Sequence, residues 1–243
     1  TFYRVTENFY FYPPVVKAKE LIDAGAIGEP SLVRIHTTRG GSVVNSKLPS
    51  NPDPTPGQSA QAWKAGGVVF DDGVHKYATA MKLVGDIEKV FGIVLRPDDG
   101  QGGRREMEAP VTAIWKFKEK ECLGVLDEVY AQDMPIRSTY GRSDNYFEIH
   151  GSKGAIHVTR CTGEIMDLPP VLLVTGTETI PYDVPHDWLL GFKASSRHFV
   201  DSIIAGTQPD LTARFGKKTV QVALAIYKAA ETEAAVDVES FVG

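Results

Sequence analysis

The chain is poor in the residues that mark several large classes of protein. Its two cysteines, Cys122 and Cys161, are too few for a disulfide framework and lack metal-type spacing, which favours a reducing compartment, the cytoplasm. No apolar run approaches the roughly 20 residues of a membrane-spanning helix, and no charged-then-apolar leader opens the sequence. We therefore expect neither a membrane protein nor an exported one.

Basic residues are not clustered either. No block of Lys and Arg is longer than a pair, and the formal net charge is -5. This pattern does not attract a polyphosphate backbone, so nucleic acid is not an expected partner. With 42% hydrophobic residues, the 243-residue chain can form one large globular domain or two small ones.

The first residues resemble the interior of a domain. Thr1 to Phe11 is rich in β-branched and aromatic residues, which predicts a strand, and no turn or cap precedes it. We therefore expect the chain to begin inside a domain and to be part of a longer protein. Pro13 and Pro14 then open a predicted helix, Val15 to Ala24, which Gly25 closes.

A long loop precedes the most informative segment. Gly40 to Gln61 lacks periodicity and is rich in Pro, Ser, Asn and Gly, as binding segments and lids often are. From Gly66 to Val84, apolar residues recur at helical spacing and predict one continuous helix with a single buried stripe. The stripe consists of Phe70, Val74, Tyr77, Met81 and Val84.

Two ionisable residues flank that stripe. Asp71 and His75 are four residues apart, so on a helix they lie one turn above each other at an edge that we expect to face a cleft. A carboxylate that orients an imidazole suits proton transfer near neutral pH. The spacing equally fits acidic residues that favour the helix dipole and a partly buried histidine without chemistry.

The rest of the sequence predicts a sheet followed by two helices. A strand at Leu32 to Thr38 comes before the motif, and alternation or apolar runs after it predict strands at Glu88–Leu95, Val111–Lys118, Leu123–Ala131, Tyr146–His150, Ala155–Thr159, Glu164–Leu168 and Val171–Val174. Gly151 to Gly154 is typical of a hairpin turn. Phe192 to Ile203, ending near Gly206, and Val220 to Tyr227 have helical periodicity. The predicted fold class is α+β, a largely antiparallel open sheet with helices on one face.

The other face of the sheet is also predicted to be apolar. Val111, Ala113, Trp115 and Phe117 supply one face of their strand, whereas Ile114 points to the opposite side. On the neighbouring strand, Leu126 and Tyr130 alternate with Val125 and Val129, so both faces of that strand carry apolar residues. Because large apolar patches usually mark interfaces, we expect a homodimer or homotetramer through the helix-free face.

Several segments together resemble one enzyme family, the glucose-fructose oxidoreductase and inositol dehydrogenase family (Gfo/Idh/MocA). Residues 8–13 and 18–30 are similar to its link into the C-terminal domain, residues 66–75 to its glycine-rich D-x-G-x-H motif, and residues 148–156 and the final helices to its later landmarks. Ala65 replaces a common first glycine, and Phe9 and Tyr10 stand where arginines are common.

The resemblance implies an oxidoreductase whose other domain lies outside this sequence. No G-x-G-x-x-G connects a strand to a helix, and the family's Glu-Lys-Pro segment is missing. Residues 1–12 would be the last strand of an absent dinucleotide-binding domain, and residues 13–243 a substrate-binding and oligomerisation domain. The cofactor would be NAD or NADP, bound mainly by the absent domain, and this chain alone would be inactive.

The family's chemistry is hydride transfer at a secondary alcohol of a sugar, cyclitol or related polyol. By resemblance, His75 is the acid/base, and Asp71 orients it or binds an adjacent hydroxyl. Asn8, Trp63 and Lys64 are candidates for the substrate pocket, although Trp63 as a packing anchor and Lys64 as a solvated charge are also consistent with the sequence.

Two alternatives remain open from the sequence. His36, Asp71 and His75 offer two imidazoles and a carboxylate, a set that could hold zinc in a hydrolase. A non-catalytic binding or scaffold module of the same fold is the other alternative, because fold does not prove function.

Overall fold

The computed structural model of the chain describes residues 2–44, 67–98, 103 and 108–241. A short 3₁₀ helix at Phe9–Phe11 comes first. Five α-helices lie within these residues: α1 Pro13–Asp23, α2 Gly67–Asp71, α3 Gly73–Leu83, α4 Leu189–Ala205 and α5 Ala213–Thr232. The nine strands described are β1 Pro30–Val44, β2 Ile87–Val94, β3 Val111–Phe117, β4 Leu123–Arg137, β5 Ser143–Gly151, β6 Gly154–Val158, β7 Val171–Thr175, β8 Glu178–Tyr182 and β9 Val236–Asp237.

The strands form one open sheet in the order β8-β7-β6-β5-β1-β4-β3-β2-β9. The central pair, β1 and β4, is parallel, and every other neighbouring pair is antiparallel. Gly151 pairs with Gly154 across the β5–β6 turn, which confirms the predicted hairpin. The α+β fold class predicted from the sequence is therefore confirmed.

Burial alternates along the strands because helices cover one side of the sheet. Val111, Ala113, Trp115 and Phe117 of β3 are buried, whereas Ile114 between them is 47% exposed. On β1, Val33, Ile35 and Thr37 are fully buried in the same layer. Helix α5 packs on β2 at one end of this inner face, and α1 packs on β6 and β7 at the other. Among the described helices, none combines the length and apolarity needed to cross a membrane.

The outer face of the sheet differs in part from the sequence prediction. Ile114 is paired with Val125 there, and Leu123 beside them is 56% exposed. Leu126 was placed incorrectly, because it pairs with Ala113 and is 1% exposed in the inner layer. The apolar part of the outer face therefore excludes Leu126 but extends onto β2, where Phe91 pairs with Ile114 and Ile93 is 55% exposed.

The strand predicted over residues 1–12 is not present within the described residues 2–12. Residues 2–8 form no strand, and Phe9–Phe11 is a 3₁₀ helix. A strand needs a neighbour for its backbone groups, and here the N–H of Val5 bonds instead to the carbonyl of Leu211. The aromatic composition serves packing, since Phe9 is 3% exposed. The assignment of residues 1–12 and 13–243 to two domains stays a prediction.

Other strand predictions differ at the edge of the sheet. Residues 164–168 do not form the predicted strand, because side chains take the place of a strand partner. Asp144 accepts hydrogen bonds from the N–H groups of Gly163 and Ile165, and Arg160 donates to the carbonyl of Leu168. Strands β8 and β9 were not predicted.

Candidate active site

The motif segment folds as two helices rather than one. The expected continuous helix is interrupted at Asp72, where the N–H of His75 bonds to the carbonyl only three residues earlier. Helix α2 is anchored at its start by the buried carboxylate of Glu108, which accepts the N–H of Val69 at 3.2 Å. Gly67 has φ +56°, and a Cβ there would lie 2.5 Å from Glu108, so this turn requires glycine.

His75 is hydrogen bonded to a residue that the sequence analysis did not select. Its Nδ1 contacts Oε2 of Glu7, whose side chain is 5% exposed. The other oxygen of Glu7 accepts the N–H of Phe9 at 2.8 Å, so both carboxylate oxygens are held. Because a carboxylate only accepts, Nδ1 of His75 carries the proton. In the neutral ring the lone pair is then on Nε2. Of the two ring nitrogens, only Nδ1 has a hydrogen-bond partner among the described residues.

The environment of His75 makes it easier to protonate. Burial opposes its charge, but the hydrogen bond and the negative charge of Glu7 outweigh burial and raise the pKa of His75 above the ordinary histidine value. The side chain is 35% exposed, so a ligand can reach it. These features suit a group that exchanges protons near neutral pH.

Asp71 does not orient His75 as predicted. Its side chain is exposed at the end of α2, and Glu7 occupies the position on Nδ1 that was expected for it. Helical spacing predicts which side chains share a face of one helix. Here the helix is broken at Asp72, and the N-terminal segment brings Glu7 to Nδ1 of His75. A role for Asp71 in binding a substrate hydroxyl stays a prediction.

The adjacent Asp72 belongs to a buried ionic cluster. Its two oxygens lie 2.8 Å from Nζ of Lys76 and 3.2 Å from a terminal nitrogen of Arg39 on β1. Arg39 also bonds to Glu128 on β4. Although burial opposes the charge, Lys76 and Arg39 lower the pKa of Asp72 to about 2. Asp72 is therefore a permanent anion that ties α3 to the sheet, not a group that exchanges protons.

Asn8 directly follows Glu7 in the chain, and its role in a substrate pocket stays a prediction. It is 3% exposed, and its side-chain nitrogen is buried with no hydrogen-bond partner among the described residues. Helix α4 packs closely here, since a Cβ on Gly191 would overlap the carbonyl of Asn8. An amide donor that is left unpaired can bind a ligand oxygen without breaking another hydrogen bond. Trp63 and Lys64 lie outside the described residues.

The zinc alternative receives no support from this geometry. His36 alternates with the buried Ile35 and Thr37 on β1, so it points to the outer face, away from α3. There its Nε2 lies 3.1 Å from Oγ1 of Thr38. Within residues 2–44, 67–98, 103 and 108–241, no three His, Cys, Asp or Glu side chains group in a way that could hold a metal ion.

No pattern in the sequence identifies Glu7 as the partner of His75. It is one acidic residue in an aromatic stretch, and 68 positions separate it from His75. Its only local signal is that a charge stands among residues that are otherwise suited to burial, and buried charges usually have partners. Naming that partner requires the tertiary fold.

Comparisons with known proteins give one family and a set of similar folds. A family model described as the GFO/IDH/MocA C-terminal domain matches residues 15–157, more than half of the chain. No curated protein matches the sequence.

Three solved structures illustrate the similarity of fold. An oxidoreductase from Agrobacterium radiobacter, in complex with NAD+, L-tartaric acid and magnesium, is 18% identical with a TM-score of 0.74, covering 98% of this chain and 66% of that one. A putative myo-inositol dehydrogenase from Sinorhizobium meliloti 1021 is 21% identical with a TM-score of 0.65, covering 95% and 64%. Levoglucosan dehydrogenase, in complex with NADH and levoglucosan, is 20% identical with a TM-score of 0.63, covering 93% and 63%. The chain thus spans less than two thirds of each of these proteins.

Proposed function

The chain belongs to the GFO/IDH/MocA family, and from that premise we propose that it supplies the substrate-binding and proton-transferring half of an NAD- or NADP-dependent oxidoreductase. The substrate class is a secondary alcohol of a sugar, cyclitol or related polyol. The observation that carries this proposal is the Glu7–His75 pair, which holds a partly exposed imidazole with its Nε2 free of hydrogen bonds among the described residues.

In the oxidation direction, His75 acts as the base. The neutral ring donates its Nδ1–H to Glu7, so Nε2 accepts the proton of the substrate hydroxyl as the carbonyl forms. Glu7 then faces an imidazolium and stabilises its charge, as carboxylates beside catalytic histidines do. A bound NAD or NADP would supply the acceptor for the hydride from the same carbon. In the reverse direction, the imidazolium returns the proton.

Neighbouring residues position the substrate in this proposal. The unpaired amide nitrogen of Asn8 donates to a substrate oxygen, and the exposed Asp71 accepts a hydroxyl next to the reacting carbon. Trp63 and Lys64 remain candidates for the pocket wall. Asp72, committed to Lys76 and Arg39, takes no part in proton transfer.

The N-termini of the described helices do not suit the phosphates of the cofactor. Phosphates commonly bind to free backbone N–H groups at helix N-termini. In each described α-helix these groups are missing, already bonded to a side chain, or close to acidic residues. Helix α1 starts with two prolines, α2 meets Glu108, and α3 begins beside two aspartates. Asp187 caps α4, and the hydroxyl of Thr212 caps α5. We therefore propose that NAD or NADP binds mainly to residues outside this sequence.

The outer face is proposed to join copies of the chain. Ile114 and Leu123 are 47% and 56% exposed there, on the side of β3 and β4 that no described helix covers. A self-complementary apolar patch is commonly satisfied by a two-fold axis, which gives a dimer, and pairs of dimers give a tetramer.

The direct test uses the protein expressed from its complete reading frame. We expect NAD- or NADP-dependent oxidation within a panel of levoglucosan, myo-inositol, L-tartrate and L-sorbose. His75→Gln should lower kcat by about 10²–10⁴-fold, the usual contribution of a general base, with KM changed little. His36→Gln on the outer face is the matched control and should leave kcat unchanged. Full activity of His75→Gln would refute the assignment, and absence of any nucleotide-dependent turnover would favour the scaffold alternative.

A further inference from the structure

A second polar pocket lies among the loops near this site. We call it the loop pocket; its volume is about 180 Å³, and its lining includes Tyr140, Arg160, Thr162, Glu164, His186 and Asp187. The mechanism proposed above uses none of these residues. They come from three separate loops, after β4, after β6 and before α4.

The loop pocket is connected to His75 by a row of aromatic rings. The His75 ring centroid lies 6.2 Å from that of Phe9, which lies 6.4 Å from Trp188, which lies 5.9 Å from Tyr140. The buried Tyr12 hydroxyl also lies 2.8 Å from the carbonyl of His186 and 3.4 Å from that of Cys161. Two of the three loops are thereby fixed to the segment that carries Glu7 and Asn8.

Two buried donors in this region have no hydrogen-bond partner among the described residues. One is a terminal nitrogen of Arg160, which lies 3.3 Å from the Glu164 carboxylate without a hydrogen bond, and the other is Nε1 of Trp188. Unpaired buried donors are uncommon in folded proteins, and a ligand oxygen is one way to satisfy them. The pocket also offers acceptors, because Glu164 and Asp187 line it.

The balance of charge indicates the class of ligand. Arg160 is already surrounded by acidic groups, with Asp167 at 3.2 Å and Glu164 at 3.3 Å, so a phosphate or carboxylate would meet repulsion. A pocket that offers both donors and acceptors beside the ring of Tyr140 suits a neutral ring that carries several hydroxyl groups.

We propose that the loop pocket binds a second sugar ring, so that the substrate is a disaccharide or other glycoside whose first ring lies at His75. This inference rests on the proposed function for the identity of the first ring. The binding of the second ring depends on Tyr140, Arg160 and Asp187, none of which takes part in the proton transfer.

Calorimetric titration of the chain with glucose, cellobiose and glucose 6-phosphate tests the proposal. We expect cellobiose to bind more tightly than glucose. Tyr140→Ala should weaken cellobiose binding roughly five- to tenfold through loss of a stacked ring and its hydroxyl while leaving glucose binding unchanged. Tyr140→Phe keeps the ring and should give a smaller loss, and the exposed Asp183→Asn is the matched control with no expected effect.

The possible results separate this inference from the proposed function. Equal affinity for glucose and cellobiose, no binding of either at millimolar concentration, or unchanged cellobiose affinity in Tyr140→Ala would each overturn the loop-pocket proposal. Tightest binding of glucose 6-phosphate would assign an anion site instead. Turnover of His75→Gln tests the proposed function, whereas the affinity difference between cellobiose and glucose tests the loop pocket, so a failure of one leaves the other interpretable. Circular dichroism of Tyr140→Ala and Tyr140→Phe checks that both variants are folded.

Discussion

Replacing Glu7 by Gln should change both the stability of the chain and the tautomer of His75. Gln keeps the size of the side chain, and its carbonyl oxygen can still accept the N–H of Phe9. Its NH₂ group then faces Nδ1 of His75. Because an NH₂ group donates, Nδ1 must accept this hydrogen bond and therefore cannot carry a hydrogen itself. The ring of the variant should therefore carry its proton on Nε2, the atom that must be free to accept one.

The stability change follows from the charged hydrogen bond that is lost. Hydrogen bonds to charged groups contribute about 1.5–3 kcal/mol. The His75 side chain is 35% exposed, so solvent screening keeps the loss near the lower end, about 1–2 kcal/mol, or roughly 2–8 °C in Tm, at pH 6. The pKa of His75 is raised in the folded chain, so the stabilisation is complete below the ordinary histidine pKa. It disappears as the pH rises through the raised folded value, and at pH 9 the two proteins should be nearly equal in stability.

Nuclear magnetic resonance with ¹⁵N-labelled histidine measures the tautomer, and thermal unfolding at pH 6 and pH 9 measures the stability. Glu148→Gln is a matched control, because Glu148 also bonds a histidine, His150, but on the outer face. It should alter the His150 resonances and leave those of His75 unchanged. If Glu7→Gln leaves the tautomer and the pKa of His75 as in the wild type, Glu7 is not its partner and the mechanism fails.

Three further outcomes are expected. Calorimetry with NAD and NADP should show weak binding or none to this chain, because the helix N-termini within the described residues offer no phosphate site; micromolar affinity would place the cofactor site here. Light scattering at micromolar concentration should show a dimer or tetramer that Ile114→Glu dissociates; a monomeric wild type, or an unaffected oligomer, would refute the outer-face interface. Gly124→Ala should cost about 1–3 kcal/mol in urea unfolding, because the added Cβ would overlap the buried Trp115 ring, whereas Gly176→Ala at an open but left-handed turn should cost about 1 kcal/mol; equal losses would show that the indole moves away easily.

Local pattern was sufficient for most elements of the fold and insufficient for the site. The alternation at Val111 to Phe117 and the helical stripes depend on neighbours a few positions away, so the sequence predicted them. Strand β8 contains a proline and lies at the edge of the sheet, and β9 has two residues, so neither had a clear signal.

The sequence could predict only those contacts of the site that lie within one helix. The sequence pointed to His75, which the structure holds partly exposed beside Glu7. It paired that histidine with Asp71 because i, i+4 neighbours are the only contacts that helical spacing can predict. The actual partner comes from a segment whose conformation, a 3₁₀ turn rather than a strand, is set by packing against Trp188 and Phe147. That packing involves residues more than 100 positions away.

The parallel pairing of β1 with β4 has a consequence for how the chain folds. Helices α2 and α3, β2 and β3 all lie between these two strands in sequence, so the centre of the sheet can form only after this long segment has been brought together. The contact of Arg39 with Glu128 closes 89 residues, and that of Glu7 with His75 closes 68. Such non-local closures slow folding, because chain entropy is lost before most native contacts form. The contact between Glu7 and His75 should therefore be among the last to form during refolding. The nuclear magnetic resonance signal of His75 would then indicate that the whole chain has folded, rather than that its helix has formed.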